Sequence, residues 1–295
     1  MIKKWIYGIA VVGALLTFSA CGNNSETTQK AETMEFVDDY DRSITIPTEP
    51  QRVVSVSPAI TQIVFALGGE DLLVGRTDYC TYPAEALEIE CIGGISNMNN
   101  EKVLSVKPDL IISGSMIPQK NAQQLEEMGV PMVCINEKEK FEGLYENISK
   151  IGQLIGKSEA ADSLNAQIRK EMESLVIENR VNKPSLYYVV GYGKVGNFTA
   201  GGNTFINDII EKAGAENIAR NVTDWSFSLE ELMKQDPNYI LIRTEDSAQF
   251  CNTAPYNNLT AVKEGKVIAI ESNMIDLQVP RNIEAIKLIN KKISE

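Results

Sequence analysis

The sequence predicts an α/β fold of two lobes joined by a long helix. Short apolar strands alternate with helical patterns from residue 52 to 135 and again from residue 185 onward, as in parallel sheets covered by helices. Between these regions the pattern is almost entirely helical. A length of 295 residues and an apolar content of 43% allow one large domain, or two lobes of ordinary size, with a substantial core.

Residues 1–20 are expected to be a lipoprotein signal peptide. Lys3 and Lys4 precede an apolar run from Trp5 to Leu16, which is short for a membrane span but has the length of a signal-peptide core. Small residues then lead to Cys21, which resembles a bacterial lipobox and implies that Cys21 is lipidated. The alternatives are an ordinary signal peptide and a retained membrane anchor. All three place the remaining chain outside the cytoplasm.

A flexible tether is expected over residues 21–33, because the segment after the cysteine is polar and lacks large apolar side chains. The next segment, Glu35 to Ile46, is predicted to form a hairpin that turns at residues 38–41. No second apolar run is long enough to span a bilayer, so the lipid alone would tether the protein.

The N-terminal lobe is assigned to residues 34–155. Its elements follow from apolar runs that end at glycine or proline. The predicted strands are Arg52–Val56, Leu72–Gly75, Leu110–Ile112 and Pro131–Ile135, and the predicted helices are Ala59–Leu67, Asn99–Val106 and Lys120–Met128.

The connecting helix is assigned to residues 156–182. Gly156 followed by Ser158 indicates a helix break and a new start. A helix from Ser158 to Asn179 would be ~30 Å long at the usual helical rise, which is enough to cross from one lobe to the other.

The C-terminal lobe is assigned to residues 183–295, where the alternation resumes after Pro184. The predicted strands are Ser185–Val190, Tyr239–Ile242 and Val267–Ile270, and the predicted helices are Thr204–Ala213, Leu229–Lys234 and Ile283–Ile293.

The two lobes share a local pattern in which a helix with an early glutamate leads to a proline and a strand. Glu101 precedes Pro108 by seven residues, and Glu230 precedes Pro237 by the same number. A common helix–proline–strand corner explains the apolar pattern, and the helix dipole favours an acidic residue in the first turn. A shared role for the two glutamates is equally compatible with the spacing.

The composition excludes several classes of function. A net charge of −12 argues against binding to nucleic acid or to an anionic membrane surface. The chain contains no histidine, which excludes histidine-dependent catalytic triads, histidine general bases and histidine-ligated zinc sites.

The cysteines after position 21 match no zinc motif. Cys134 lies in a short apolar run and is expected to be a core thiol. Cys80 and Cys91 flank a short segment and could form a disulfide outside the cell. The sequence is equally compatible with a disulfide and with two free thiols for this pair, and it indicates no role for Cys251.

A glycine pattern at residues 191–196 fits the G-x-G-x-x-G fingerprint of dinucleotide-binding folds. That fingerprint requires a helix to begin at the glycines, so that its N-terminus meets the pyrophosphate. Here the next helix is predicted to begin only at Thr204. We therefore interpret the segment as a flexible loop whose glycines leave room for a bulky partner.

A series of short motifs follows in a fixed order along residues 35–293. The motifs are Arg52–Pro58, Phe65–Gly68, Tyr82–Pro83, Gly93–Gly94, Pro108–Ile111, Gly129–Pro131, Gly201–Phe205, Ala213–Ala219, Trp225, Ala261–Lys263 and Pro280–Arg281. This ordered set resembles the class III substrate-binding proteins of ABC importers, which capture cobalamin, ferric siderophores or heme.

The resemblance implies two Rossmann-like lobes, a rigid connecting helix and a ligand cleft between the lobes. It also implies that Glu101 and Glu230 dock on arginines of the permease, with Glu231 as a neighbouring alternative. The implied partners are the permease with its ATPase subunits, a small metal chelate and the membrane through the lipid. We expect a monomer that is not an enzyme and has no cofactor. Thr61-Gln62 departs from the Thr-Glu common in the family, and Ala59 replaces a serine after Pro58.

The candidate ligand-binding residues are those expected at the carboxyl ends of the strands, where open α/β sheets bind ligands. They are Ser57, Tyr79 and Met116 in the first lobe, Tyr192, Phe198 and Arg243 in the second, and Met98 and Trp225 in neighbouring loops. Asp78, Asn97, Ser115 and Asn273 complete the set. Trp225 could instead be a core aromatic beside Phe227, and Arg243 could pair with Glu245 or Asp246.

The favoured ligand is a corrinoid, because residues 78–83 and 96–100 resemble the cobalamin-binding branch of the family. Without histidine the protein cannot bind heme iron or cobalt through imidazole, although tyrosine or methionine ligation of heme is open. A ferric siderophore or heme is the alternative within the family. An exported hydrolase that uses a pair of carboxylates is the alternative from another class.

Overall fold

The computed structural model describes residues 32–114, 119–175 and 182–295. The expected signal peptide, Cys21 and nearly all of the tether lie outside the described residues, as does Met116. Within the described ranges, no helix combines the length and the apolar character that crossing a bilayer requires.

The described chain opens with the predicted hairpin, in which strands β1 (Thr33–Val37) and β2 (Ser43–Pro47) pair antiparallel. Its turn is closed by Asp38, whose carboxylate accepts the backbone N–H groups of Tyr40 and Arg42. The Arg42 guanidinium pairs with the same carboxylate at 2.6 Å.

The first lobe contains a parallel sheet in the order β4-β3-β5-β6. Its strands are β3 (Val53–Val56), β4 (Leu73–Arg76), β5 (Leu110–Ser113) and β6 (Met132–Cys134), and its helices are α1 (Pro58–Ala66), α2 (Asn100–Ser105) and α3 (Gln119–Glu127). Short 3₁₀ turns cover Glu70–Leu72 and Ala84–Glu88.

Two helices follow the first sheet, α4 (Gly143–Leu154) and α5 (Ser158–Ser174). Gly156 separates them with a φ of +68°, as the predicted break requires. Helix α5 is shorter than predicted: Leu175 is extended, and residues 176–181 lie outside the described residues. Its 17 residues give a length of about 25 Å.

The second lobe contains a parallel sheet in the order β10-β9-β7-β8. Its strands are β7 (Ser185–Val189), β8 (Glu216–Asn217), β9 (Tyr239–Arg243) and β10 (Val267–Ile270), and its helices are α6 (Phe205–Lys212), α7 (Leu229–Gln235), α8 (Thr244–Asn252), α9 (Thr260–Lys263), α10 (Ser272–Ile275) and α11 (Asn282–Ser294). The sequence prediction missed β8 and helices α8, α9 and α10. These elements are either very short or, in α8, nearly devoid of apolar residues.

The two sheets repeat one topology. Strands β4, β3, β5 and β6 correspond in order to β8, β7, β9 and β10. Helices α2 and α7 begin alike, because Asn99 accepts the N–H of Lys102 and Ser228 accepts the N–H of Glu231. Each of these helices also ends in a residue with positive φ immediately before the proline, at Lys107 and at Asp236. The predicted α/β fold of two lobes is therefore confirmed, with an internal repeat.

The core is continuous between the lobes. Strand residues alternate between the two faces of each sheet, and the larger cluster joins residues such as Ile63, Ile151, Leu186 and Ile289. Helix α11 packs against α6 and α5. Two smaller clusters cover the opposite faces of the sheets. The shared core fixes the strand ends of both lobes relative to each other.

The cysteine pair suggested by the sequence does not form a disulfide in the structure. Cys80 and Cys91 are free thiols, and Cys80 is fully buried with its Sγ 3.2 Å from the Thr77 hydroxyl. Cys134 is a buried core thiol, as predicted. Burial raises the pKa of the Cys134 thiol, so it stays protonated at neutral pH.

Candidate functional site

A cavity of about 570 Å³ lies at the carboxyl ends of both sheets. Its wall includes Val56 at the end of β3, Gly114 after β5, Ile135 after β6 and Arg243 at the end of β9. This is the edge at which parallel α/β sheets bind ligands, because the loops that follow the strands meet there.

The wall combines apolar side chains with a few polar groups. The remaining lining residues are Ser57, Pro58, Ala59, Ile60, Ile63, Tyr79, Ile95, Ser96, Asn97, Glu137, Asn147, Ile151, Asp276, Leu277 and Gln278. Such a wall suits a large ligand held by apolar contact and oriented by hydrogen bonds.

Four of the predicted ligand residues line this cavity: Ser57, Tyr79, Asn97 and Arg243. Ser57 is extended and precedes Pro58, the first residue of α1, so the strand-to-helix turn brings it to the sheet edge. Tyr79 lies in the loop after β4 and is 62% exposed, so its ring is available to a ligand.

Two other predicted residues are packed against protein. The Tyr192 ring contacts Phe250 and Tyr256 edge-on, with centroids 5.2 and 5.6 Å apart. Met98 packs on a core cluster of the first lobe. Neither side chain is part of the cavity wall described above.

An exposed aromatic ring, Phe198, lies next to the glycine loop of the second lobe. Phe198 pairs with Gly191 and with Ser226 through isolated bridges, and it is 36% exposed. A Cβ at Gly191 would lie 3.0 Å from the Phe198 ring, so this glycine makes room for the ring, whereas a Cβ at Gly193 would meet nothing within 4 Å. As predicted, the following helix begins only after Thr204, which caps it by accepting the N–H of Asn207.

Trp225 is 40% exposed and lies in a bend directly before Ser226, the residue that pairs with Phe198, and it is outside the core. The alternative of a core aromatic beside Phe227 is therefore wrong, because only Phe227 is buried. The backbone of Trp225 has a φ of +66°, a left-handed conformation that is rare for a bulky residue. A strained, exposed tryptophan is typical of a functional surface.

Arg243 is held by Asp276, not by either of the acidic residues expected from the sequence. Its Nε lies 2.6 Å from the Asp276 carboxylate, and the hydroxyl of Tyr188 donates to the same carboxylate. Burial and the adjacent Asp276 raise the pKa of Tyr188 well above its usual value, so the phenol remains a donor. The three residues form one fixed polar group at the wall.

Glu137 and Gln278 form a second polar group at the wall. The backbone N–H of Gln278 donates to the Glu137 carboxylate at 3.2 Å. Glu137 is exposed to the open cavity, and the surrounding walls partly desolvate its carboxylate. That desolvation, reinforced by Asp276, raises the pKa of the Glu137 carboxyl.

The paired glutamates occupy equivalent positions on the surface. Glu101 and Glu230 are the second residues of α2 and α7 and are exposed, and no ion pair involves either among the described residues. Glu231 is engaged instead, since it accepts from Gln235 and lies 3.8 Å from Lys234. The geometry therefore favours Glu230 over its neighbour as the free carboxylate.

Sequence reasoning missed Glu137, Asn147, Asp276 and Gln278. Glu137 follows directly after the end of β6, so the strand-end rule could have found it. The other three lie in or after helices, where no local signal indicates that they face the cavity. Arg281 donates hydrogen bonds to Glu271 and Asn273 and stacks on Tyr82, so it has a structural role.

A family model, curated relatives and solved structures that are similar to this chain are all described as binding proteins. Residues 53–274 match the family described as periplasmic binding protein. The chain is 28% identical over 299 residues to the uncharacterized ABC transporter substrate-binding lipoprotein YvrC of Bacillus subtilis, covering 96% of this chain and 95% of that protein. It is 30% identical over 258 residues to a cobalamin-binding protein of Halobacterium salinarum, covering 82% and 69%. The periplasmic heme-binding protein HutB of Vibrio cholerae shares the fold, with a TM-score of 0.74, 22% identity and coverage of 82% and 98%.

Proposed function

This chain belongs to the periplasmic binding protein family, and we propose that it is the substrate-binding lipoprotein of an ABC importer that captures a corrinoid and delivers it to the permease. The names of its relatives support a solute-binding role rather than the hydrolase considered from the sequence. Lipidation of Cys21 and docking through Glu101 and Glu230 are part of the proposal.

The charge of the cavity wall is the observation that favours one ligand class over the others. The wall contains the carboxylates of Glu137 and Asp276 and the guanidinium of Arg243, which Asp276 already neutralises. The propionates of heme and the oxygens of a catecholate chelate would meet this negative wall unfavourably. A cobalamin is electrically neutral with cyanide on cobalt, and its rim carries uncharged carboxamides. An amide-rich, uncharged ligand therefore fits this wall best.

Direct binding tests the proposal. The purified protein is titrated with cyanocobalamin, hemin and a panel of ferric siderophores, and Kd is measured by calorimetry and by fluorescence. Trp225 is the reporter, because the other tryptophan is Trp5 in the expected signal peptide. We expect saturable binding of cyanocobalamin and a change in Trp225 emission. No binding of any corrinoid refutes the ligand assignment.

Heme is the second candidate because of one residue. The phenol of Tyr79 lies on the cavity wall and is exposed, and tyrosine can ligate heme iron. If hemin is the ligand, Tyr79→Phe removes the tyrosinate charge-transfer band and weakens hemin binding. If a corrinoid is the ligand, the same variant keeps most of its affinity for cyanocobalamin.

A further inference from the structure

Glu137 presents a carboxylate to the cavity without a cation of its own. Its one hydrogen bond among the described residues is accepted from the backbone N–H of Gln278. The adjacent Lys138 does not neutralise it, because the Lys138 ammonium lies 2.9 Å from Asp39 and 3.9 Å from Glu146. A carboxylate has lone pairs for several hydrogen bonds, so Glu137 retains accepting capacity toward a ligand.

Asn147 adds a second acceptor to the same part of the wall. Its Nδ2 donates to the carbonyl of Asn136 at 3.1 Å and to the Oε1 of Gln278 at 3.2 Å. These two bonds fix the orientation of the amide, because the reversed orientation would place oxygen against oxygen. Asn147 lines the cavity and is 4% exposed, and its Oδ1 has no partner in the described ranges. A buried carbonyl oxygen without a hydrogen bond destabilises the protein, and a donor on the ligand would satisfy it.

The cations near this acceptor region are already engaged. Arg243 is tied to Asp276, and Lys150 pairs with Asp39 and Glu146. Among the described lining residues, two carboxylates face one guanidinium, which leaves this part of the wall with one negative charge in excess. A ligand group placed here must therefore donate hydrogen bonds and must not carry negative charge.

We infer that Glu137 is a specificity-determining residue that accepts hydrogen bonds from primary carboxamides on the rim of the ligand and rejects the corresponding carboxylates, with Asn147 as a second acceptor. This inference rests on the proposed function, because a corrin ring carries such carboxamides on its rim. A carboxamide offers two N–H donors, whereas an ionised carboxylate offers none and adds like charge. The wall thus selects the fully amidated form of the macrocycle over its acidic forms.

The test compares ligands that differ by one group. Cyanocobalamin, dicyanocobinamide and the three monocarboxylates formed by hydrolysing one propionamide of cyanocobalamin are titrated at pH 7.5 by calorimetry. The full-length protein and its Glu137→Gln variant are compared. We expect at least one monocarboxylate to bind about tenfold or more weakly than cyanocobalamin to the native protein. In Glu137→Gln this ratio should fall to about twofold or less, because glutamine can donate to the carboxylate.

The control is Glu139→Gln, an exposed carboxylate two residues away that is not part of the cavity wall. It should leave every affinity unchanged. Equal affinity for cyanocobalamin and all three monocarboxylates, or a ratio that Glu137→Gln leaves unchanged, overturns the inference while the proposed function stands. Failure of both amidated corrinoids to bind overturns the proposed function and the inference together.

Discussion

Replacing Gln278 with leucine should destabilise the protein strongly, because this side chain joins two distant segments of the chain. Gln278 is 1% exposed. Its Oε1 accepts the N–H of Lys138 at 3.0 Å and the Nδ2 of Asn147 at 3.2 Å, and its Nε2 donates to the carbonyl of Lys140 at 2.8 Å. Leucine has a similar volume but makes none of these bonds. Three bonds at a net value near 1 kcal/mol each give a loss of about 3 kcal/mol.

Urea unfolding followed by circular dichroism measures this loss. Gln153→Leu is the matched control, because Gln153 is exposed on α4 and makes no hydrogen bond through its side chain among those described. The control should change the free energy of unfolding by less than about 0.5 kcal/mol. A loss below about 1 kcal/mol for Gln278→Leu, or one equal to that of the control, would refute the idea that this residue joins the two segments.

Three further outcomes are expected. The double variant Glu101→Ala, Glu230→Ala should abolish corrinoid uptake by cells, while the purified double variant keeps its Kd for the corrinoid. The control Glu231→Ala should leave uptake intact. Lost corrinoid binding in the double variant would contradict the docking role. Desolvation by the cavity walls raises the pKa of Glu137, so its ionised form costs stability as pH rises through that pKa. Glu137→Gln should therefore raise the Tm at pH 7, and this gain should shrink at acid pH. An equal gain at all pH values would exclude this origin. The backbone of residue 225 has a φ of +66°, which glycine adopts without strain. Trp225→Gly should therefore be about 0.5–1 kcal/mol more stable than Trp225→Ala by urea unfolding, and both variants should bind cyanocobalamin more weakly. Equal stability of the two variants would contradict the backbone strain.

Much of the fold could be predicted because its signals are local. The strands β3, β5 and β9 are short apolar runs, and the break at Gly156 is encoded by glycine and the serine that follows. Helix α8 was missed because Thr244–Asn252 contains few apolar residues, with Phe250 as its fully buried side chain. Its position is decided by packing against the second sheet rather than by its own pattern.

Part of the candidate site could also be predicted, because its signals are local in the sequence. Ser57, Tyr79 and Arg243 follow strands, and the rule that ligands lie at strand ends applies to each of them from the sequence alone. Tyr192 also follows a strand, but two aromatic rings brought from α8 and the turn after it cover its face. The exposure of a side chain depends on the residues that pack over it, and the local sequence does not predict which residues those are.

The sequence alone therefore determined most of the strands and helices, the matching positions of Glu101 and Glu230 in a repeated local pattern, and the edge of the sheets where a ligand would bind. The tertiary structure decided which groups meet at that edge. Arg243 is paired with Asp276, 33 residues away, and Glu137 is bonded by Gln278, 141 residues away. Helix and strand signals arise between near neighbours in the chain, whereas the charge balance of the cavity arises from contacts between residues that are far apart in the chain and meet only through tertiary packing.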